Sequence, residues 1–508
     1  MSHPWPNPQT AVRLEMADGT MQASMTTQPG DGGAVSTVEL TGQGKISKLV
    51  VEVRGVAPVD EMFAVDPNHS DVMYLHPLQV SRQCYHEGPH PDLRFGPQYL
   101  FSPPPLVHVF GVGGQWFGVG LGAPKGRNRY SGWSYIPQGR DGFDLEVTYD
   151  GYSGLTGHAV SLWWGSQLHD TPYAAIAAYA DWLRAEGFAP SPKRDAPDWW
   201  REPFACTWGE QTNLRWINDI GQEGRPYPAQ YESQANVMRW LQSLIDHDIP
   251  FGVACTSYKW QHFRERLTPD PGKYPDFRGF ADWNHDAGRH VLIWYGMWIH
   301  DNAPPDWCVR QADGKKLRLD PTSPAYARRL QDDVHHLISP DGYDYDGFFL
   351  DFTHDLPCAP GLQLHGDLWG VELLHHYVKL IHDAAKAPKP DALIMTHCAH
   401  PYFADVCDVF RLNDWATLRP NTVEQARYRH GIATACSGWL INTDNWPLYS
   451  ADDWWALIRA QPELGIPSTW YTDGVRAQGA PGYVPFTEAD YAEWKAIWDD
   501  YRRCEGLT

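Results

Sequence analysis

The hydrophobic rhythm of this chain changes at the proline-rich stretch Ala189–Pro197, and that change limits the available folds more than any other feature. Before it, apolar and polar residues alternate in short runs such as Val12–Met16, Ser36–Leu40 and Leu49–Val53, which is typical of half-buried strands. Beyond it, short apolar runs alternate with amphipathic helical segments, as they do in parallel β/α units. We therefore expect a β domain followed by an α/β domain.

The first part of the chain predicts an antiparallel β-sandwich over residues 1–170. Leu106–Phe110 and Gln115–Val119 flank a glycine-rich turn and indicate a hairpin, and no convincing helix precedes residue 168. A helix near 172–186 and the proline-rich stretch then form a linker over residues 171–198. The remaining residues, 199–508, are expected to form one catalytic domain.

The second part of the chain contains eight predicted strands with intervening helices. We place the strand ends near residues 208, 257, 297, 351, 397, 413, 443 and 471. Eight strands close a (β/α)8 TIM barrel, whose active site lies at the carboxyl ends of the strands. The helix around Glu488–Arg503 is expected to complete the ring.

Composition excludes several partners. The net charge is −21 and no cluster of lysine and arginine is present, which opposes binding to nucleic acid or to an anionic membrane. A neutral or cationic small molecule is a better fit. The chain holds 25 Trp and 25 Tyr; many of them pack in cores, but aromatic faces also suit the apolar faces of sugar rings. The oligomeric state, including a homo-oligomer, is left open.

Metal and cofactor chemistry have no support in the sequence. The nine cysteines include no C-x-x-C pair, which opposes a zinc site or a disulfide framework. The doublets His335-His336 and His375-His376 point about 100° apart on a helix, so neither forms one chelating face. No G-x-G-x-x-G opens a helix, and no cofactor is expected. The start of the chain lacks a signal-peptide pattern, so we expect a cytoplasmic protein.

Two carboxylates stand at predicted strand ends. Asp351 ends the apolar run Gly347–Asp351, and Asp414 follows Val409–Leu412 two strands later. Paired carboxylates are what a glycosidase needs, about 5 to 5.5 Å apart for retention and further apart for inversion. The structural alternative for each is a helix cap or turn residue.

Five segments, taken in order, resemble the retaining α-glycosidases of glycoside hydrolase clan D, families 31 and 36. They are Tyr258–Gln261, Tyr274–Phe280, Gly288–Trp294, Asp346–Phe352 and Arg411–Asp414, within the stretch Trp199–Asp473. A β-sandwich ahead of the barrel also resembles that clan. The resemblance implies that Asp351 is the nucleophile, that Asp414 is the acid/base, and that Arg411 holds a substrate hydroxyl or lowers the pKa of a carboxylate.

Two departures from the family pattern concern the substrate. Phe349 stands where family 36 commonly has lysine, and Ser257 and Tyr258 replace the aspartates expected ahead of Trp260. Those charged groups help to bind sugar hydroxyls, so we expect an unusual sugar. Side chains at the strand ends suit stacking on a sugar or hydrogen bonding to it. The predicted substrate-binding residues are Trp208, Gln211, Lys259, Trp260, Trp298, Asp301, His397, Arg411 and Asp444.

The sequence thus predicts a retaining exo-acting α-glycoside hydrolase that uses two aspartates on a small glycoside. One alternative is a non-hydrolytic carbohydrate-binding or regulatory protein on the same scaffold. A second alternative is an inverting hydrolase or a transglycosidase.

Overall fold

The computed structural model describes residues 5, 8–30, 32–65, 72–83, 103–192, 195–218, 228–436, 438–476 and 482–507. Residues 193–194 of the proline-rich stretch and Cys84 lie outside these ranges.

The amino-terminal part of the chain is an antiparallel sheet of ten strands. In sheet order these are β4-β3-β6-β7-β10-β2-β9-β8-β5, with β1 paired to β2. Their bounds are β1 Gln9–Gly30, β2 Gly33–Arg54, β3 Glu61–Phe63, β4 Tyr74–Leu75, β5 Ser81–Gln83, β6 Val107–Val112, β7 Gln115–Gly122, β8 Gly132–Pro137, β9 Gly142–Ser153 and β10 Gly157–Gly165.

This sheet folds back on itself to enclose a core. Phe110 of β6 faces Tyr135 of β8 and Phe143 of β9, with ring centroids 5.5 and 6.0 Å apart. Strand β2 joins the two halves because its first part pairs with β10 and its second part pairs with β9. The predicted sandwich is therefore one continuous sheet. The short strands expected at 36–40 and 49–53 are parts of one 22-residue strand.

The predicted hairpin is present as β6 and β7. Val112 pairs with Gln115, so the connecting turn is Gly113-Gly114. Both glycines have positive φ, 55° and 77°. A two-residue turn of this kind matches the twist of the flanking strands, and glycine adopts it without steric cost.

The rest of the chain contains the barrel. The strands are β11 Phe204–Cys206, β12 Val253–Cys255, β13 His290–Gly296, β14 Cys308–Arg310, β15 Lys316–Leu319, β16 Gly347–Asp351, β17 Leu393–Thr396, β18 Val409–Arg411, β19 Leu440–Asn442, β20 Ser468–Thr469, β21 Gly474–Arg476 and β22 Tyr483–Pro485. The helices are α1 Pro172–Ala185, α2 Trp208–Asn218, α3 Gln234–Asp246, α4 Phe277–His285, α5 Pro324–Ile338, α6 Gly370–Lys386, α7 Thr422–Cys436, α8 Ala451–Leu464 and α9 Glu488–Glu505.

Eight parallel strands form the barrel sheet in the order β19-β18-β17-β16-β13-β12-β11-β20. A parallel bridge between Asn442 and Ile466 brings the two ends together. The prediction of an antiparallel β domain followed by a (β/α)8 barrel is confirmed. β14 with β15, and β21 with β22, are short hairpins outside the barrel.

The ring of helices departs from the expectation at the fifth strand. Between β17 and β18 the chain forms only a 3₁₀ helix, Pro401–Asp405, within a connection of twelve residues, 397–408, which is near the minimum length for a crossover between parallel strands. Helix α1 packs beside this loop: the hydroxyl of Tyr179 lies 3.2 Å from Nε2 of His400. The predicted linker helix thus contacts both the sheet and the barrel, and the division at 170 and 198 stays a prediction.

Within the described ranges, no helix combines the length and the apolar character needed to cross a bilayer.

Candidate active site

Arg411 lies at the centre of a cluster of carboxylates at the carboxyl ends of the barrel strands. Its Nη1 is 2.9 Å from Oδ2 of Asp444. Its Nη2 is 3.4 Å from Oδ1 of Asp414 and 3.7 Å from Oδ1 of Asp351. The Arg411 and Asp444 side chains are 2% and 0% exposed, whereas Asp351 and Asp414 are 21% and 31% exposed. Two accessible carboxylates therefore share one buried cation.

The shared nitrogen limits the distance between the two accessible carboxylates. Because both Oδ1 atoms lie within 4 Å of Nη2 of Arg411, these two oxygens are at most about 7 Å apart, a limit that is compatible with the 5 to 5.5 Å of retaining glycosidases. The sequence placed Asp351 and Asp414 two strands apart, and the structure brings them together.

Burial and charge act together on these groups. Burial, with Asp444 and Asp351 nearby, raises the pKa of Asp414 to about 7, although Arg411 acts in the opposite direction. Burial also raises the pKa of Asp444. Burial opposes the charge on Arg411, but the three carboxylates outweigh it and raise the pKa of Arg411. Arg411 is therefore a permanent cation, and Asp414 can hold a proton near neutral pH.

Asp351 is held at both oxygens. Oδ1 accepts a hydrogen bond from the backbone N–H of Phe352 at 2.7 Å, and Oδ2 accepts one from Nε1 of Trp294 at 3.1 Å. The Trp294 backbone is fixed in turn, because its carbonyl accepts a bond from Nε1 of Trp260 at 2.7 Å. The motif Gly288–Trp294 contained this residue, but only the tertiary structure shows that its indole points at Asp351.

Phe349 lies beneath Arg411. The guanidinium carbon is 4.7 Å from the Phe349 ring centroid, and the ring contacts Trp470 at 5.5 Å and Phe204 at 5.9 Å. Phe349 stands where family 36 commonly has lysine, and its ring lies against the Arg411 guanidinium. These rings also close the inner end of the barrel mouth.

Backbone strain is concentrated at the strand ends. Five non-glycine residues that follow barrel strands have positive φ. They are Lys259 at 72°, Trp298 at 69°, Phe352 at 56°, Asn413 at 65° and Asp444 at 55°. Such conformations are costly for these residues and cluster at functional sites, so the strain marks this end of the barrel as the site.

An aromatic wall lines part of the mouth; it consists of Trp208, Tyr258, Trp294, Phe352 and Trp446. Ring centroids are 6.0 Å apart for Trp208 and Tyr258, 4.9 Å for Tyr258 and Trp294, and 5.9 Å for Trp294 and Phe352. Trp446 continues the wall 6.4 Å from Trp208. All except Trp294 are partly exposed.

His397 follows the fifth strand and is fully buried. Its Nε2 is 2.8 Å from Oγ1 of Thr353, and its Nδ1 has no partner among the described protein atoms. Burial, with Arg411 and His354 nearby, lowers the pKa of His397 well below its usual value. A neutral imidazole with one nitrogen unsatisfied is suited to hydrogen bonding with a sugar hydroxyl.

Several predicted sugar contacts are occupied by other protein groups. Trp260 is fully buried and stacks on Phe277 at 5.0 Å, and Trp298 is fully buried against Tyr377 at 4.8 Å. Nε2 of Gln211 donates to buried Glu232. These side chains support the wall of the barrel from behind.

Lys259 and Asp301 form a pair at the second and third strand ends. Nζ of Lys259 is 3.4 Å from Oδ1 of Asp301, and the same oxygen accepts a bond from Nε of Arg264 at 2.9 Å. The backbone N–H of Arg264 donates to Oδ2 at 2.9 Å. Both Asp301 oxygens are therefore already bonded within the protein. Arg264 was not among the predicted site residues, and only its proximity to Asp301 in the fold reveals it.

No group of three or more histidine, cysteine, aspartate or glutamate side chains suited to a metal ion occurs among the described residues.

Replacing Arg411 by methionine is expected to lower the free energy of unfolding by about 3–5 kcal/mol at neutral pH, because Asp444 then becomes a buried, unpaired charge. The loss should shrink as the pH falls, since a carboxyl whose folded pKa is raised binds protons preferentially in the folded state. Urea denaturation measures it. The control, Arg427→Met, breaks an exposed pair with Glu463 and should cost less than about 1 kcal/mol. Equal losses in both variants contradict the expectation.

Replacing Trp294 by phenylalanine keeps a ring but removes the donor to Asp351. We expect kcat to fall by about 10-fold to 100-fold with little change in KM, because Asp351, the predicted nucleophile, loses its alignment. Trp199→Phe is a matched control, since Nε1 of Trp199 donates to Asp391 at 3.2 Å away from the mouth. Equal effects of the two variants on kcat would show that the Trp294 bond is merely structural.

A sequence model described as "Glycosyl hydrolases family 31 TIM-barrel domain" matches residues 223–361, which include β12, β13, β16 and Asp351. The resemblance to clan D is confirmed, and this segment indicates a glycoside hydrolase. A search of curated proteins finds no match.

Solved structures share the fold at low identity. A cycloalternan-degrading enzyme from Trueperella pyogenes in complex with isomaltose is 15% identical, with a TM-score of 0.57 over 98% of this chain and 72% of that chain. An α-galactosidase from Thermus thermophilus in complex with p-nitrophenyl α-D-galactopyranoside is 14% identical, with a TM-score of 0.59 over 96% and 92%. A cycloalternan-forming enzyme from Listeria monocytogenes is 12% identical, with a TM-score of 0.61 over 98% and 49%. At these identities the likeness is one of fold.

Proposed function

We propose that the protein is a retaining, exo-acting α-glycoside hydrolase that works by double displacement with Asp351 and Asp414. The single observation that carries this proposal is that both carboxylates lie within 4 Å of the same Arg411 nitrogen at the barrel mouth. That separation suits a nucleophile and an acid/base acting on one glycosidic bond.

In the first step Asp351 attacks the anomeric carbon, and Asp414 gives its proton to the leaving oxygen. The product is a β-linked glycosyl-enzyme and a free alcohol. Trp294 and the Phe352 N–H orient the attacking carboxylate. The raised pKa of Asp414, about 7, supports the acid role because a useful fraction of the group is protonated near neutral pH.

In the second step Asp414, now ionised, takes a proton from water, which displaces Asp351 and releases the sugar in its original α configuration. Arg411 stays charged throughout and offsets the negative charge of the two carboxylates. The Asp444 carboxylate pairs with Arg411 and holds the guanidinium in place. Oδ1 of Asp444 accepts hydrogen bonds from Nε1 of Trp470 and from the backbone N–H groups of Asn445 and Trp446.

Exo action is supported by the inner end of the mouth. Phe204, Phe349 and Trp470 pack together there, with ring centroids 5.5 to 6.1 Å apart. A site closed at its inner end accepts the terminal sugar of a chain. Of the predicted sugar contacts, the proposal assigns that role to Trp208, His397 and Arg411, whereas Asp444 acts through Arg411. The absence of a cofactor and the cytoplasmic location stay predictions.

The test is turnover of a panel of aryl α-glycosides with NMR detection of the first product anomer. Release of the α anomer supports retention, whereas the β anomer indicates inversion. Binding without turnover of any sugar overturns the proposal in favour of a non-hydrolytic binding protein. Competition between water and added sugar acceptors separates hydrolysis from transglycosylation.

A further inference from the structure

The mouth of the barrel has two unlike halves. The polar half holds Arg411 with Asp351, Asp414 and Asp444, on the fourth, sixth and seventh strands, and His397 after the fifth. The aromatic wall runs from Trp446, after the seventh strand, past the ends of strands one to three to Phe352, after the fourth strand, and it reaches Asp351 through Trp294 and Phe352. A sugar at Asp351 therefore meets charged and hydrogen-bonding groups on one side and ring faces on the other.

Tyr258 is the centre of the aromatic wall. Its ring lies 4.9 Å from Trp294 and 6.4 Å from Phe352, the two residues that contact the Asp351 carboxylate. Its hydroxyl oxygen accepts a hydrogen bond from Nη1 of Arg264 at 2.9 Å. The polar end of Tyr258 is thus tied to the Arg264–Asp301 pair, and its ring makes the wall beside the nucleophile.

The carboxylates behind this wall are already bonded within the protein. Glu232 accepts hydrogen bonds from the Ser257 backbone N–H at 2.9 Å and from the Tyr274 hydroxyl at 2.5 Å. Glu210 accepts two more, from the backbone N–H groups of Thr472 at 2.7 Å and Asp473 at 2.9 Å. Both side chains are buried. Glu210, Glu232 and Asp301, three carboxylates near the first three strand ends, are therefore already hydrogen-bonded to protein groups.

The anomeric carbon is bonded to two ring atoms, C2 and the ring oxygen, and the two sides of the sugar require different surroundings. On one side is C2, whose hydroxyl forms hydrogen bonds that strengthen in the transition state and therefore requires the polar half. On the other side are the ring oxygen and C5 with its substituent. If C2 faces Arg411 and His397, the C5 substituent faces the aromatic wall. An apolar wall accommodates a hydrogen or a methyl group there, whereas a hydroxymethyl group loses its hydrogen bonds to water.

We propose that the site selects a sugar without a hydroxymethyl group at C5, that is, a pentopyranose or a 6-deoxyhexose, with Tyr258 as the specificity-determining residue. This inference rests on the proposed hydrolase function. The contrast between the aromatic wall and the carboxylate cluster around Arg411 supports this proposal.

The experiment uses two pairs of p-nitrophenyl glycosides that differ only at C5. One pair is the α-D-xylopyranoside and the α-D-glucopyranoside; the other is the α-D-fucopyranoside and the α-D-galactopyranoside. We expect kcat/KM to favour the first member of whichever pair is turned over, by about 10-fold or more, the size of effect that one group in an apolar pocket produces. A preference for the hydroxymethyl member overturns the inference and leaves the hydrolase function intact.

Tyr258 variants test the assigned residue. Tyr258→Asp places an acceptor in the wall and should shift the preference toward the hydroxymethyl member, whereas Tyr258→Phe should retain the original preference. Circular dichroism and a thermal melt check that each variant folds. An unchanged preference in a folded Tyr258→Asp variant overturns the role of Tyr258.

A binding measurement distinguishes failure of this inference from failure of the proposed hydrolase function. The same four glycosides are titrated calorimetrically into the Asp351→Ala variant, which retains the aromatic wall. Tighter binding of the xyloside and fucoside supports the inference even if the native protein turns over none of the four. Equal binding within each pair, or no binding at all, overturns it.

Discussion

Replacing Asp351 by alanine is expected to lower kcat by at least about 10⁴-fold, because the proposed mechanism requires the Asp351 carboxylate to form the covalent intermediate. The remaining carboxylates of the cluster are poorly placed to substitute: Asp444 is fully buried against Arg411, and Asp414 is the proposed acid. Hydrolysis of an aryl α-glycoside by purified protein gives the measurement.

Azide distinguishes loss of the nucleophile from loss of the fold. In the Asp351→Ala variant, azide can enter where the carboxylate stood and attack the anomeric carbon from the same face. We expect recovered release of the aryl alcohol and a β-glycosyl azide as product. The control is Asp383→Ala, since Asp383 is half-exposed on α6 and pairs with Lys379; this variant should keep native turnover. An active Asp351→Ala variant without azide contradicts the assignment.

Replacing Asp414 by asparagine is expected to have an effect that depends on the leaving group. A methyl α-glycoside needs its leaving oxygen protonated, and its kcat/KM should fall by about 10²-fold to 10⁴-fold. A 2,4-dinitrophenyl glycoside needs no such help in the first step, so its kcat/KM should fall far less. Steady-state kinetics on both substrates measures the contrast. A uniform loss on both argues that Asp414 is not the acid.

The same group sets the alkaline limb of the pH profile. As the proposed acid, Asp414 carries a proton in the first step, and its pKa is raised to about 7, so kcat/KM should decline as the pH rises through about 7. In Asp414→Asn, this alkaline decline should disappear for the 2,4-dinitrophenyl glycoside. The matched control is Asp473→Asn, because Asp473 follows the eighth strand and its side chain is 31% exposed, as is that of Asp414. It should leave the pH profile unchanged.

Much of the fold was predictable because hydrophobic periodicity reports burial directly. The eight barrel strands end where the apolar runs end, and Ser323 caps α5 with Pro324 in its first turn, as expected. The sheet was predicted less well. β2 continues through polar residues between its two apolar halves, and a pattern of period two cannot show that one strand serves both halves of a sandwich.

The sequence predicted the positions of the two carboxylates at the strand ends, but it did not predict which residues hold the site in place. Asp351 and Asp414 follow apolar strands, which is a local signal. The bonds from Trp294 to Asp351 and from Arg264 to Tyr258 join separate loops or strands and leave no local pattern. Conversely, Trp260 and Trp298 stand at strand ends in the sequence but are buried behind them. Position along a strand is local information, whereas side-chain direction after a loop depends on packing.

The sequence by itself determined the order of the parts: a β domain, a helix, eight parallel strands, and carboxylates at the fourth, sixth and seventh strand ends. This order follows from which residues are apolar and must be buried, because the hydrophobicity of a residue does not depend on its place in the chain. Only the tertiary structure decided that Asp351, Asp414 and Asp444 surround Arg411, and that Tyr258 turns its ring toward Trp294 while Arg264 holds its hydroxyl. Those contacts arise when the barrel closes, because closure brings strand ends that are distant in sequence to the same mouth.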